Sequence, residues 1–109
     1  MNAFSALADD TRREIVSLLA RKGELPANQI SKNFAMTAPA ISQHLKILKE
    51  ARVIQMKKQA QMRLYSVNEA GLDEMEKWIV EVRKLWQKRF HSLGEYLTRL
   101  KKERSSGKT

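Results

Sequence analysis

The chain has 109 residues, of which 42% are hydrophobic and 30% are charged, and this composition is typical of a single soluble globular domain. It contains no cysteine, which excludes disulfide bonds, thiolate metal sites and cysteine nucleophiles. No apolar stretch approaches the roughly 20 residues that a transmembrane helix needs, and the first residues lack the pattern of a secretory signal. We therefore expect a cytoplasmic protein that does not bind membranes.

Positive charge is concentrated in the middle of the sequence. The whole chain carries 21 Lys and Arg residues against 12 Asp and Glu residues, a formal net charge of +9. Seven of these basic residues but only one acid, Glu50, lie between Leu25 and Val67, so this segment alone carries +6. Such a segment favours a polyanionic partner, although a solvated helical surface has a similar composition.

Two helices are predicted in the first third of the chain. The segment from Thr11 to Glu14 has the capping-box pattern, with Asp9 and Asp10 as competing caps, and it opens a helix that ends near Gly23. Pro26 then stands at the start of a short helix of one or two turns.

A third helix is predicted from Thr37, its N-cap, to Glu50. Ile41, Leu45 and Leu48 fall within about 60° of one another at 100° per residue, so we expect this face to be buried. The opposite side carries small or polar side chains, namely Pro39, Ser42, Gln43, Lys46 and Glu50. The helix should therefore present a polar surface to solvent or to a partner.

A β-hairpin is predicted after the third helix. Its strands are Val53 to Lys58 and Met62 to Val67, which alternate or contain β-branched residues, and a three-residue connection, Gln59 to Gln61, separates them. The connection contains no glycine, so the pattern predicts a hairpin without fixing its turn type.

One long helix is predicted from Asn68, its N-cap, to Lys102. Its apolar residues form a seam with nearly heptad spacing, namely Leu72, Met75, Ile79, Val82, Trp86, Phe90, Leu93, Leu97 and Leu100. About 34 residues at 1.5 Å each make a helix of about 50 Å, which a chain of this size cannot cover by itself. The seam therefore predicts a homodimer. A helix broken at Gly94 and folded back is the alternative, and residues 103–109 should form a disordered basic tail.

This order of elements is that of a winged helix-turn-helix, and three segments make the likeness specific. Ala6 to Ile15, Thr37 to Ala51 and Arg63 to Asn68 resemble the ArsR-type family of dimeric bacterial transcriptional repressors, and the likeness covers about residues 3–100. It implies a mainly α domain over residues 1–102, with a two-stranded β-hairpin wing and a long C-terminal dimerisation helix. It also implies repression of a promoter through a palindromic operator, which members often have at their own promoter.

The resemblance and the physics of groove recognition together predict a DNA-binding surface on double-stranded DNA. Early, outward side chains of a recognition helix meet base edges in the major groove, and Gln43 has an amide that can pair bidentately with adenine. The predicted base-reading residues are Ala38, Pro39, Ala40, Ser42 and Gln43. The predicted backbone-contacting residues are Thr37, His44, Lys46, Lys49, Lys57, Lys58 and Arg63. His44 flanks the buried face, so a packing role for this side chain is equally open. The alternative for Lys57, Lys58 and Arg63 is that they are solvated strand residues that do not contact DNA.

Dimerisation is expected on the first and last helices, which is what the resemblance implies. The predicted interface consists of Phe4 and Leu7 together with the seam of the long helix from Leu72 to Leu100. The sequence departs from the family pattern at Asp10, at Arg52, where a helix-ending glycine is common, and at the wing tip, Ala60 and Gln61. Arg52 in a left-handed cap would cost on the order of 1 kcal/mol, so either this cap is strained or the helix ends differently.

No catalytic set, metal site or cofactor is predicted. The family's metal sensors use cysteines or acid and histidine sets, whereas His91 has only Glu95 one turn later and no second histidine on its helix. An effector, either a small molecule or a protein, is left open. Two other functions stay open as well, a winged-helix module for protein interaction and a ligand receptor, in which the basic surface would serve another partner.

Overall fold

The computed structural model describes residues 2–106, and the chain divides into two compact units, one up to Met75 and one from Glu76 onward. Its elements are α1 (Ala3–Ala6), α2 (Asp10–Lys22), β1 (Leu25–Pro26), α3 (Ala27–Ser31), α4 (Ala38–Glu50), β2 (Ile54–Gln59), β3 (Met62–Val67) and α5 (Glu69–Ser106). The predicted fold class, a mainly α winged helix-turn-helix with a hairpin wing and a long last helix, is confirmed. No described helix is long and apolar enough to cross a membrane.

The first long helix, α2, is capped by Asp9 rather than by the predicted box that begins at Thr11. The Asp9 carboxylate accepts a hydrogen bond from the backbone N–H of Arg12 at 3.0 Å, and Asp9 has extended backbone angles, as an N-cap must. The helix ends at Gly23, whose φ is +87°, so its predicted end is confirmed. A four-residue helix, α1, precedes it and was not predicted.

The sheet has three antiparallel strands in the order β1-β3-β2, not the two that the sequence predicted. The additional strand, β1, is only two residues long and pairs Leu25 with Tyr65. The hairpin connection is also shorter than predicted, because Gln59 pairs with Met62 and leaves only two residues between the strands. The first of these, Ala60, has a φ of +55°.

The core of the first unit consists of aliphatic side chains from α1 to β2. The buried residues are Ala3, Ala6, Ile15, Leu18, Leu19, Ile30, Ile41, Leu45, Leu48, Ala51, Val53 and Ile54. The predicted inward faces of α2 and α4 are therefore confirmed. Leu72 and Met75, at the start of α5, are half-buried and pack against this core.

The last helix, α5, begins after Asn68, whose side-chain oxygen accepts a hydrogen bond from the backbone N–H of Ala70 at 3.0 Å. It runs without a break through Gly94, which excludes the alternative of a helix that folds back there. Its predicted end at Lys102 moves to Ser106, so residues 103–106 of the predicted tail are helical. The rest of that tail, 107–109, lies outside the described residues.

Candidate nucleic-acid interface

Helix α4 is fixed at its start by a side-chain cap and along its length by the core. The hydroxyl of Thr37 accepts a hydrogen bond from the backbone N–H of Ala40 at 3.2 Å, and Pro39 stands in the first turn, where no N–H is needed. Ile41, Leu45 and Leu48 are buried, so the helix cannot rotate about its axis without exposing them.

That anchoring leaves the opposite face of α4 in solvent. Among the predicted base-reading residues, Ala38, Pro39, Ser42 and Gln43 are exposed and Ala40 is half-buried. Among the predicted backbone-contacting residues, Thr37, Lys46, Lys49, Lys57, Lys58 and Arg63 are exposed and His44 is half-buried. The face therefore offers a hydroxyl, an amide and ammonium groups on one rigid helix, which are the groups that bind base edges and phosphates.

His44 differs from its neighbours because part of its ring is enclosed. Its Nδ1 atom is buried and has no hydrogen-bond partner among the described residues. The pKa of Asp9 lies below its usual value, chiefly because the carboxylate accepts the hydrogen bond from Arg12, and charge interactions with Arg12 and His44 act in the same direction.

The end of α4 sets the direction in which the wing leaves the helix. Arg52 has a φ of +62°, and the chain closes a Schellman motif there: the N–H of Val53 donates to the carbonyl of Leu48 at 3.0 Å, and that of Arg52 to Lys49 at 3.1 Å. A glycine is the usual residue at this left-handed position. The strained cap expected for Arg52 is therefore present.

Gly71 supports this strained turn from the start of α5. Its N–H donates to the carbonyl of Arg52 at 2.9 Å. A Cβ at Gly71 would lie 2.6 Å from that same carbonyl oxygen, so only glycine permits the approach. This role was not predicted from the sequence, where the signal for it is a glycine inside the first turn of a predicted helix.

The wing is basic on both strands. Lys57 and Lys58 on β2 and Arg63 on β3 are all exposed, and Lys58 stands directly opposite Arg63. No acidic residue occurs between Glu50 and Glu69, so these charges have no carboxylate partner within the hairpin. The hairpin follows α4 after three residues, Ala51, Arg52 and Val53, so the helix and the wing form one continuous basic stretch of chain.

Two arginines of α2 hold the short helix α1. Arg12 donates from Nε to the carbonyl of Ala6 at 2.5 Å and from a terminal nitrogen to that of Ser5 at 3.3 Å. Arg13 donates to the carbonyl of Leu7 at 2.7 Å and pairs with Asp10. These bonds satisfy the C-terminal carbonyls of α1, which no helix of four residues could satisfy internally. Neither role was predicted from the sequence.

The predicted dimer residues are distributed over both units. In the first unit Phe4 is exposed, whereas Leu7 is half-buried and packs against the core, as do Leu72 and Met75. In the second unit every seam residue is exposed, namely Ile79, Val82, Trp86, Phe90, Leu93, Leu97 and Leu100. A further set of apolar residues is exposed on the same helix, namely Trp78, Val80, Leu85 and Tyr96.

The seam keeps to one side of α5 because its spacing matches an ordinary helix. From Leu72 to Phe90 the pattern completes five turns in 18 residues, or about 3.6 residues per turn, the period of a straight helix. Trp86 and Phe90, one turn apart, have ring centroids 6.3 Å apart. An apolar stripe of this length that stays in solvent is typical of a surface that binds another protein.

No metal centre is formed among residues 2–106. No three His, Asp or Glu side chains in that part of the chain lie close enough to hold an ion together. On α5, His91 Nε2 lies 3.2 Å from a carboxylate oxygen of Glu95, and both side chains are exposed. A single imidazole and a single carboxylate supply fewer donors than the three or four that a transition-metal site requires.

Comparison with known proteins places these features in one family. The sequence matches the family model described as "Bacterial regulatory protein, arsR family" over residues 9–56. It is 39% identical over 79 residues to the transcriptional repressor SdpR of Bacillus subtilis (strain 168), covering 72% of this chain and 87% of that protein. It is 34% identical over 86 residues to the arsenic resistance transcriptional regulator ArsR1 of Pseudomonas putida, covering 76% of this chain and 67% of that protein.

Solved structures show the same fold. The crystal structure of an ArsR family transcriptional regulator matches with a TM-score of 0.72 at 30% identity, covering 78% of this chain and 87% of that chain. An ArsR-like transcriptional regulator from Rhodococcus sp. RHA1 matches with a TM-score of 0.73 at 24% identity, covering 83% of this chain and 84% of that chain. The family model matches from the cap of α2 to the start of β2, and the similarity to the Bacillus subtilis repressor covers most of that protein. The chain therefore belongs to the ArsR family of bacterial transcriptional regulators.

Proposed function

We propose that the protein is a dimeric, sequence-specific DNA-binding repressor that recognises a palindromic operator, with its own promoter as the first candidate site. The observation that carries the proposal is the outward face of α4, where Ser42, Gln43 and Lys46 are exposed on a helix whose other side is buried. The family assignment supports it, because the relatives are named as transcriptional repressors and regulators.

In this proposal α4 enters the major groove, which is about 12 Å wide and accepts one helix. Gln43 reads adenine through its side-chain amide, whose NH2 group donates to N7 and whose oxygen accepts from the N6 amino group in a bidentate pair. Ser42 and the small residues Ala38 and Ala40 lie close to the same base edges, and an alanine methyl can contact the methyl group of thymine. Pro39 shapes the first turn beside them.

The basic residues fix the position of α4 on the duplex without reading its sequence. Lys46 and Lys49 on α4, and Lys57, Lys58 and Arg63 on the wing, are exposed cations that suit phosphate contacts. Thr37 and His44 border the same face and are assigned to the backbone with them. Each phosphate contact releases condensed cations, so binding should weaken steeply as salt increases.

The first test separates base reading from phosphate contact. The probes are the duplex that the full-length protein enriches from a random-sequence pool and an unrelated duplex, each titrated at several salt concentrations. Gln43→Ala should weaken binding to the enriched duplex by about 1–3 kcal/mol and relax the preference at one base position. Lys46→Ala should weaken both duplexes alike and reduce the salt slope by about one.

The contrast between those two variants decides the assignment. If Gln43→Ala distinguishes the enriched duplex from the unrelated one as well as the wild-type protein does, Gln43 does not read bases. If no duplex is enriched from the pool, the proposed function itself is wrong.

We further propose that release of the operator does not use a transition metal. The chain has no cysteine and only two histidines, one on α4 and one on α5. Each chain therefore lacks the set of three or four donor atoms that a transition-metal switch needs. A dimer axis near His91 could combine two His91 and Glu95 pairs, one from each protomer. The proposed routes of release are an organic ligand at the dimer seam, a partner protein, or a change in the concentration of the repressor itself, each of which would shift the spacing of the two recognition helices.

A metal titration tests this second proposal. Zinc, nickel, copper and cadmium are added to the purified protein while operator binding is followed, with His91→Ala as the matched variant. We expect operator affinity to be the same with and without metal for both proteins. Operator release at micromolar metal that His91→Ala abolishes would show that a metal site exists at the α5 interface.

A further inference from the structure

A groove in the first unit lies between α2 and the turn that follows α3. Its volume is about 350 Å³, which is in the range of sites that bind small organic molecules. The side chains that line it are Glu14, Ser17, Leu18 and Arg21 from α2 and Asn33 and Phe34 from the turn. None of these residues belongs to the outward face of α4, the wing or the seam of α5, so the proposed function gives the groove no role.

The lining residues of α2 share one face of that helix. Glu14, Leu18 and Arg21 are spaced four and three residues apart, so Glu14 and Arg21 differ by only about 20° in direction at 100° per residue. At a rise of 1.5 Å per residue, their Cα atoms lie about 10.5 Å apart along the helix axis. An acid and a base therefore stand two turns apart along the groove, with Leu18 between them.

Both of these charges are unpaired within the described part of the chain. The side chains of Glu14 and Arg21 are exposed, and neither forms a hydrogen bond or an ion pair with any other of residues 2–106. The carboxylate and the guanidinium group are thus available to a ligand that carries the complementary charges.

The floor of the groove is apolar and is held by the core. Leu18 is 4% exposed, and Phe34 is half-buried and packs against the core. The carboxamide of Asn33 is held beside them, because its Nδ2 atom donates to the carbonyl of Gln29 at 2.9 Å. The groove therefore combines a fixed hydrocarbon surface with one negative and one positive group.

We propose that this groove binds a short ω-amino acid, which is a chain of methylene groups with an ammonium group at one end and a carboxylate at the other. A guanidinium group binds a carboxylate through two parallel hydrogen bonds, and a carboxylate accepts hydrogen bonds from an ammonium group. Arg21 and Glu14 supply these two contacts. The methylene chain lies on Leu18 and Phe34, which removes its apolar surface from water.

The separation of the two charges sets the length of the ligand. A charge-assisted hydrogen bond of about 2.8 Å at each end leaves about 5 Å of the separation of about 10.5 Å for the ligand itself. An extended chain of about three or four methylene groups spans this distance, as in γ-aminobutyrate and δ-aminovalerate. An α-amino acid carries both charged groups on one carbon atom, so it is too short to bind both side chains in this arrangement.

The first test titrates the full-length protein with δ-aminovalerate while NMR records its backbone amides. We expect saturable shifts at Ser17, Leu18, Asn33 and Phe34, with a Kd of about 1 mM or below. Valerate and pentylamine have chains of the same length but only one charge each, so both should bind at least about tenfold more weakly. Absence of a saturable shift at these amides, or equal binding of valerate, would overturn the inference.

Variants that remove one charge test each end of the groove. Glu14→Gln and Arg21→Gln should each weaken binding of δ-aminovalerate by about tenfold or more. Lys22→Gln is the matched control, because it removes a positive charge from the neighbouring exposed position, which does not line the groove. Thermal unfolding of each variant shows whether a lost readout comes from lost folding. Wild-type affinity in Glu14→Gln or Arg21→Gln would contradict the proposed contacts.

Exchange of the two charges separates ligand binding from a structural role. Arg21→Glu places two carboxylates in the groove, so this variant should lose δ-aminovalerate and bind a diamine of the same length. The double variant Glu14→Arg/Arg21→Glu should bind δ-aminovalerate again, in the reverse direction. Folded variants that show neither change would count against the site. No DNA is present in these measurements, so a negative result leaves the proposed DNA-binding function unaffected.

Discussion

Two residues with opposite conformational needs fix the join between α4 and the wing. Arg52 adopts a left-handed conformation that favours glycine, whereas Gly71 provides the bare backbone that lets its N–H reach the Arg52 carbonyl. The strain at Arg52 is on the order of 1 kcal/mol, and the Schellman hydrogen bonds together with the Gly71 contact hold it in place. The direction of the wing relative to α4 therefore depends on a glycine in another helix.

The Gly71 contact predicts opposite effects for the same substitution at two helical glycines. Gly71→Ala should destabilise the protein, because its Cβ would lie 2.6 Å from the Arg52 oxygen and would force the backbone apart. Gly94→Ala should stabilise it by about 1 kcal/mol, since nothing lies within 4 Å of the added Cβ and alanine favours the helix. Urea unfolding of both variants checks this, and a stable Gly71→Ala protein would contradict the proposed strain.

At the residue scale, features that depend on neighbouring residues in the sequence were predictable, whereas contacts between residues far apart in the sequence were not. The cap at Thr37 and the buried triplet Ile41, Leu45 and Leu48 follow from spacing alone, and the structure contains both. The sequence favoured the Thr11 box as the cap of α2 with Asp9 and Asp10 as competing caps, and the structure selects Asp9, because the backbone angles that decide among adjacent capping residues depend on packing. Gly71 acts on a residue 19 positions away, so no local pattern reveals it.

Among the secondary-structure elements, α1 depends most on contacts from outside itself. A helix of four residues is too short to persist alone, and its carbonyl groups are bound by the guanidinium groups of Arg12 and Arg13 from α2. This dependence also explains why α1 was not predicted: four residues show no helical periodicity, and the stabilising groups belong to the next helix. Strand β1 was missed for a related reason, since its two residues pair with β3, some 40 positions away.

Loss of the Arg12 contacts should loosen α1 specifically. Arg12→Lys keeps the charge but has one nitrogen, which cannot reach the Ala6 and Ser5 carbonyls together. We expect the amides of Ala6, Leu7 and Ala8 to exchange with solvent about tenfold faster. This change corresponds to the low end of the 1.5–3 kcal/mol, roughly, that a hydrogen bond to a charged group contributes. Hydrogen exchange measured by NMR checks this, with Arg21→Lys near the end of α2 as the control. Unchanged exchange in Arg12→Lys would show that Arg13 alone holds α1.

At the scale of the whole molecule, the two units have different kinds of surface. The first unit has its own aliphatic core and carries the basic face of α4 and the wing. The described part of the second unit, residues 76–106, is helix alone, and every seam residue from Ile79 to Leu100 is exposed. The sequence predicted the length and apolar seam of this helix, because both are periodic features. The seam residues have no cover within the described chain, so what binds them is predicted and does not follow from the structure of one chain.

The seam should hold a homodimer, and a charge placed in it should separate the two chains. Leu93→Lys would set an unpaired ammonium group against the apolar side chains of the partner, at a cost of several kcal/mol. Gln87→Lys adds the same charge one to two turns away, outside the seam, and serves as the control. We expect sedimentation at micromolar concentration to show dimers for the wild type and Gln87→Lys and monomers for Leu93→Lys.

Dissociation should also weaken DNA binding in a way that depends on the number of half-sites. Each protomer presents one α4, so a dimer binds the two half-sites of a palindrome, which lie about one helical turn, roughly 34 Å, apart. Once one half-site is bound, the second α4 is held at a high effective concentration near the other half-site. Leu93→Lys should therefore lose affinity for the full palindrome but bind a duplex with a single half-site as the wild type does. A wild-type protein that sediments as a compact monomer, or a Leu93→Lys protein that still binds the palindrome with wild-type affinity, would contradict dimerisation through the seam.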